Sequence, residues 1–238
     1  MGTYTFLVWA SMGILLYAAV RYIAVRYIVV LNIILFRKFV NRFWEVSMKK
    51  SVLFLGNSYT YYNDMPEAIF APMAKEYAVT SLTRGGWWLK WYANPENEEH
   101  SRLLEALEGK HYDAVILQDN SLATIRDPEG FFGGIAKLKA LISPHADRIL
   151  LYVTWGRKPG NPTLTELGMT FDSMTEHIAA VYEDAARRFG MECAHVGRAF
   201  AAYMADHPEA ELYAEDMHHP SPLGSRIAAE TILKVLQR

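Results

Sequence analysis

Leu53-Phe54-Leu55-Gly56-Asn57-Ser58-Tyr59-Thr60-Tyr61 decides the reading of this chain. The apolar run that leads into it, from Val52 to Leu55, is too short for a helix and is bounded by Gly56, so it reads as a buried strand. The strand ends in a Gly-Asn-Ser turn, and the polar residues beyond it lead towards a helix. Such a turn lifts a serine hydroxyl to the C-terminal edge of a sheet and aims backbone N–H groups at whatever the hydroxyl attacks. A lone Gly-Asn-Ser is more often only a cap or a turn, so the partners of Ser58 have to be found elsewhere.

Outward from this strand, short apolar runs alternate with amphipathic stretches. Residues 66–77 read as a helix with Asp64 as N-cap, and 78–82 as a strand that leads to the Gly85-Gly86 turn. Helices follow at 98–108, 131–142 and 170–189, with strands at 112–117, 148–153 and 193–196 and a closing helix at 222–236. The longest break, 157–163, contains Pro159, Gly160 and Pro162. This alternation predicts an α/β fold with a doubly wound parallel sheet and its site at the carboxyl ends of the strands.

The partners of Ser58 stand near the other end, in Asp216-Met217-His218-His219-Pro220-Ser221. A serine hydroxyl is a weak nucleophile until a base within hydrogen-bond reach takes its proton. His219 has the Asp-x-x-His spacing, so Asp216 can reach Nδ1 of that ring and leave Nε2 free to accept the serine proton. His218 lacks this spacing. Gly86, with Gly85 as the alternative, is expected to bring a backbone N–H close to a reacting carbonyl oxygen. After the 112–117 strand, either Asn120 or Gln118 could add an amide donor. Trp87 and Trp88, beside Gly86, and Trp155, at the end of the 148–153 strand, could stack on a sugar ring or simply belong to the core. Arg157 and Lys158 on the same edge could meet an anionic substrate group.

The first and last of these stretches resemble the signature blocks of the SGNH (GDSL-like) hydrolases, and the likeness runs from about Ser51 to the C-terminus. Asn57 stands where the family pattern has an aspartate, and Gln118-Asp119-Asn120 lacks the glycine of the third block. The resemblance implies a three-layer α/β/α flavodoxin-like fold with about five parallel strands. It also implies ester hydrolysis without a cofactor or metal, through Ser58, His219 and Asp216, with Ser58, Gly86 and Asn120 or Gln118 as oxyanion donors. The aromatic cluster points to a small acyl group, such as acetyl, on a carbohydrate. A non-catalytic binding module and an acyltransferase with the same triad are the alternatives.

The lone cysteine, Cys193, excludes an intrachain disulfide and leaves no zinc ligand set. Residues 1–47 carry Arg21, Arg26, Arg37, Lys38 and Arg42 against Glu45 alone, so the rest of the chain is acidic and gives no sign of a nucleic-acid surface. Residues 4–20 are apolar over about 17 positions, at the short limit for spanning a bilayer. Residues 4–36 are therefore expected to offer a membrane contact, with the following arginines holding a catalytic domain of 48–238 in the cytoplasm. The competing expectation is that translation begins at Met48 and the enzyme is simply cytoplasmic.

Overall fold

Five runs rich in branched and aliphatic residues become the strands of one parallel sheet. They are β1 (Lys50–Gly56), β2 (Tyr77–Thr83), β3 (Tyr112–Leu117), β4 (Ala146–Val153) and β5 (Glu192–His195), in the order β2-β1-β3-β4-β5. The computed structural model describes residues 49–238 throughout and, before them, Arg21, Arg26, Tyr27 and residues 31–38. The principal helices of the unit Lys49–Arg238 are α1 (Ser58–Tyr61), α2 (Glu98–Leu107), α3 (Pro128–Ile142), α4 (Phe171–Phe189), α5 (Val196–Asp206) and α6 (Pro222–Leu236).

Side chains alternate across a strand, so each strand feeds two cores. Leu53, Leu55, Val115, Leu117, Leu151 and Val153 pack with residues of α2, α3 and α4 on one face. Val52, Phe54, Ala114, Ile116, Leu150 and Tyr152 pack with residues of α5, α6 and the segment 65–70 on the other. The result is a three-layer α/β/α sandwich in which β1 lies between β2 and β3. Leu55 lies opposite Leu82 and Leu117, so the turn that follows β1 opens between the ends of β2 and β3, where the strand order reverses.

Three local expectations are corrected. Residues 66–77 do not form one helix. Residues 62–64 make a 3-10 turn, Met65–Phe70 winds as a π-helix and only Ala71–Met73 is α-helical. Pro66 and Pro72 each remove a donor from the α ladder, and the wider winding lets Ala71 N–H donate to Pro66 O instead. Asn63 and Asp64 both lie in the left-handed region, and Asp64 caps nothing. Val196, expected to end a strand, opens α5, and Pro162–Leu167 adds a short helix to the long break.

Residues 31–38 are helical and exposed. Among the described residues no helix is long and apolar enough to cross a membrane. The run 4–20, on which the anchor expectation rests, lies outside the described residues.

Candidate active site

The turn that carries Ser58 is built on a close approach that only glycine permits. A Cβ on Gly56 would meet Thr60 Oγ1 at 2.5 Å and Gln118 Oε1 at 2.7 Å. Asn57 then caps α1, its Oδ1 accepting from Tyr59 N–H at 3.1 Å, while its Nδ2 donates to Trp87 O at 2.8 Å. Its backbone N–H donates to Gln118 Oε1 at 2.9 Å, an oxygen that also accepts the Thr60 hydroxyl at 2.8 Å. The Gln118 amide nitrogen donates to Asp119 O. Gln118 is thus a buried strut beneath the turn, with both ends of its amide engaged.

The loop carrying the histidines is a self-bonded turn. An isolated bridge joins Tyr213 to Pro220, Ala214 N–H donates to His219 O, and Met217 takes a left-handed φ of 64°. Asp216 Oδ1 accepts the backbone N–H groups of His218 and His219 at 3.0 and 2.9 Å. Its other oxygen, Oδ2, lies 2.7 Å from His219 Nδ1, and His219 Nε2 lies 2.7 Å from Ser58 Oγ. Tyr62 stacks on the His219 ring at 4.4 Å, and Tyr59 meets it edge-on at 5.4 Å. The His218 ring instead turns Nδ1 towards Asp216 O, 3.1 Å away.

Burial pushes the Asp216 carboxyl up, but the ring of His219 and the N–H groups of His219 and His218 outweigh it and hold the pKa at about 2. Asp216 is therefore an anion at every pH at which the histidine could act as a base. His218 is pushed down, chiefly by burial, with Arg157 and His219 nearby. The ligand atoms of Asp216, His218 and His219 lie within 4.8 Å of one another, close enough to share a cation. Both ring nitrogens of His219 are already engaged, however, which leaves it no free lone pair for a metal.

The chain after β4 braces this loop from behind. Lys158 N–H donates to Met217 O at 3.0 Å, and Tyr213 hydroxyl donates to Gly156 O at 2.8 Å. Trp155 Nε1 donates to His218 O at 3.1 Å. Trp155 is fully buried, stacked between Tyr59 at 4.9 Å and Phe200 at 4.3 Å. The expectation that it presents a face to substrate is corrected: its two faces are taken up by rings of the core.

The remaining expected groups surround the open edge. Gly86 has a φ of 68°, which favours glycine, and its N–H meets no acceptor among the described residues. The same is true of Ser58 N–H at the start of α1. Trp87 and Trp88 are half-buried, with the Arg84 guanidinium 4.3 Å from the Trp87 ring and Lys90 Nζ 4.8 Å from the Trp88 ring. Asn120 spends its Oδ1 on Leu122 N–H at 3.0 Å, and its Nδ2 donates to nothing among the described residues. Asp119, not singled out in the sequence, is buried and stitches these two loops together: Oδ1 accepts from Leu89 N–H at 2.8 Å and Asn120 N–H at 2.7 Å. Burial lifts its carboxyl to about 7. Tyr59 and Tyr62 were also missed. Their only sequence signal is that both follow shortly after Ser58.

A five-stranded α/β/α sandwich with serine, histidine and aspartate in hydrogen-bonded series at its carboxyl edge belongs among the hydrolases. The chain is 33% identical to a "putative SGNH hydrolase" from Slackia heliotrinireducens, covering 78% of this chain and 98% of that one with a TM-score of 0.70. It belongs to the SGNH hydrolase family. The fold is shared with a DUF4886 family protein from Bacteroides uniformis (17% identity, 80% and 84% of the two chains, TM-score 0.59). It is also shared with a mutant form of an acetyl-xylooligosaccharide esterase from Geobacillus stearothermophilus (15% identity, 79% and 94%, TM-score 0.55). No protein-family model matches the sequence, and no curated protein matches it.

Proposed function

We propose that the protein is a serine esterase that removes a small acyl group, acetyl above all, from a carbohydrate, with residues 48–238 as its catalytic domain. The observation that carries this reading is the unbroken series from Ser58 Oγ to His219 Nε2 and from His219 Nδ1 to Asp216 Oδ2, each step 2.7 Å. Ser58 attacks the ester carbonyl while His219 takes its proton, and Asp216 holds the ring in the required tautomer and steadies the imidazolium. The same proton passes to the departing alcohol as the carbon–oxygen bond breaks and the acyl-enzyme forms. Water, deprotonated by His219, then releases the acid and restores Ser58.

The developing oxyanion is received by the N–H groups of Ser58 and Gly86 and by Asn120 Nδ2, donors with no acceptor of their own among the described residues. Asn120 takes this role rather than Gln118, whose amide is already spent under the turn. The acetyl-carbohydrate part of the reading draws on the acetyl-xylooligosaccharide esterase that shares the fold. Solved catalytic mutants of that enzyme replace a serine, an aspartate and a histidine, the last two spaced as Asp216 and His219 are here. Trp87 and Trp88 beside Gly86 would form the sugar-facing wall.

The test is covalent labelling by a fluorophosphonate together with turnover of p-nitrophenyl esters of increasing chain length. Labelling and turnover should both depend on Ser58, with acetate preferred. A folded wild-type protein inert to both reagents would overturn the esterase reading.

A further inference from the structure

Among the described residues, every arginine from residue 49 onward lies within ion-pair distance of a carboxylate, except Arg157 and Arg238. Arg157 is also the one arginine of this unit that is buried, with 8% of its surface exposed. The most enclosed guanidinium in the domain therefore has no ion-pair partner within contact distance among the described residues. A buried cation left in that condition is costly, and the cost is offset when an anion arrives with good hydrogen-bond geometry.

Its position ties it to the chemistry. Nη1 donates to the hydroxyl of Tyr59, the residue after Ser58, and the guanidinium lies 5.7 Å from the centre of that ring. Nε and Nη2 meet no protein acceptor among the described residues, and neither is sealed from solvent as the buried orphan atoms of the molecule are. The nearby anion, Asp216, has one oxygen occupied by two backbone N–H groups and the other by the His219 ring. The neighbouring cation, Lys158, is already paired with Glu211. Burial lowers the pKa of Arg157 to about 10, which leaves it charged at neutral pH.

We propose that Arg157 is a specificity-determining residue that receives a carboxylate of the substrate, so that the enzyme prefers esters carrying a carboxylate close to the scissile bond. This rests on the esterase reading of Ser58, His219 and Asp216. The planar fork of a guanidinium can offer two parallel donors to a carboxylate, which a lysine cannot. The carboxylate could belong to the acyl part, as in a half-ester of a dicarboxylic acid, or to the alcohol part, as in an acetylated uronic acid.

Matched pairs of esters separate these sources. The full chain is assayed with p-nitrophenyl acetate against the mono-p-nitrophenyl ester of succinate, and with acetylated methyl glucoside against acetylated methyl glucuronide. The charged member of one pair should be favoured in kcat/KM by about 10- to 100-fold, as expected for a hydrogen-bonded charge. Preference within the first pair places the carboxylate on the acyl side, and preference within the second on the alcohol side. Arg157→Gln should abolish the preference while changing turnover of the neutral esters by less than about threefold, and Arg157→Lys should restore only part of it. The absence of any preference in the wild-type protein overturns the proposal without a variant being needed. Equal losses on charged and neutral esters in Arg157→Gln would also overturn it, by showing Arg157 to be a structural support. Both outcomes leave Ser58-dependent hydrolysis of the neutral esters by the wild-type protein intact. Its absence would overturn the esterase reading and this proposal together.

Discussion

Two amides two residues apart carry different burdens in this chain. Gln118 holds the Ser58 turn from below through its side-chain oxygen and spends its nitrogen on Asp119 O, whereas Asn120 keeps a donor in reserve. Asn120→Ala should therefore lower kcat by about 100-fold with little change in KM or in the unfolding midpoint, the signature of a lost oxyanion donor. Gln118→Ala should destabilise the fold by about 1–3 kcal/mol through the groups it leaves unpaired. Steady-state kinetics and urea unfolding of the two variants, side by side, test the division; matching kinetic losses would refute it. This choice was not legible in the sequence, because it depends on which way each side chain turns. The meeting of Ser58, Asp216 and His219 was legible, because a tight turn and an Asp-x-x-His spacing are local features. Trp155 shows the same limit from the other side: an aromatic at a strand end reads alike whether it faces solvent or the core.

At the level of elements, the strands were readable because a buried parallel strand is a short apolar run with sharp ends. The segment 66–77 was not, because its spacing of apolar residues is helical while Pro66 and Pro72 forbid the ordinary ladder. The start of α5 was hidden because Val196 suits a strand as well as a buried helical position. The turn after β2 permits a test at this scale. Gly86 has a left-handed φ and open space where a Cβ would stand. Gly86→Ala should cost only about 1 kcal/mol in stability, from backbone strain alone. If its N–H receives the oxyanion, kcat should fall well beyond that figure, and a variant with parental kcat would remove Gly86 from the mechanism.

For the whole molecule, two carboxylates at the sheet edge pull stability against pH in opposite directions. Asp119 is lifted to about 7 by burial, so the folded state keeps a proton that the unfolded chain has released by about pH 4. Its contribution is complete below that lower value and is lost as the pH rises through about 7. Asp216, held at about 2 against the pull of burial by its hydrogen bonds, contributes above the ordinary carboxylate range and loses that contribution as the pH falls towards about 2. Asp119→Asn should therefore flatten the decline in stability between about pH 4 and pH 7. Urea midpoints across that window measure this; an unchanged slope would show that Asp119 is not the group responsible.

The bond from Trp155 Nε1 to His218 O makes the indole proton a resident observer of the loop that carries His219. Because that carbonyl belongs to the residue beside His219, any charge or movement arriving at the imidazole should reach the indole as a change in its nuclear magnetic resonance frequency. The chain holds six tryptophans, and the Trp155→Phe variant identifies the signal by its loss. On the proposed mechanism, acylation of Ser58 would then be followed in real time without a chromogenic substrate, which frees the search for a natural substrate from dyes.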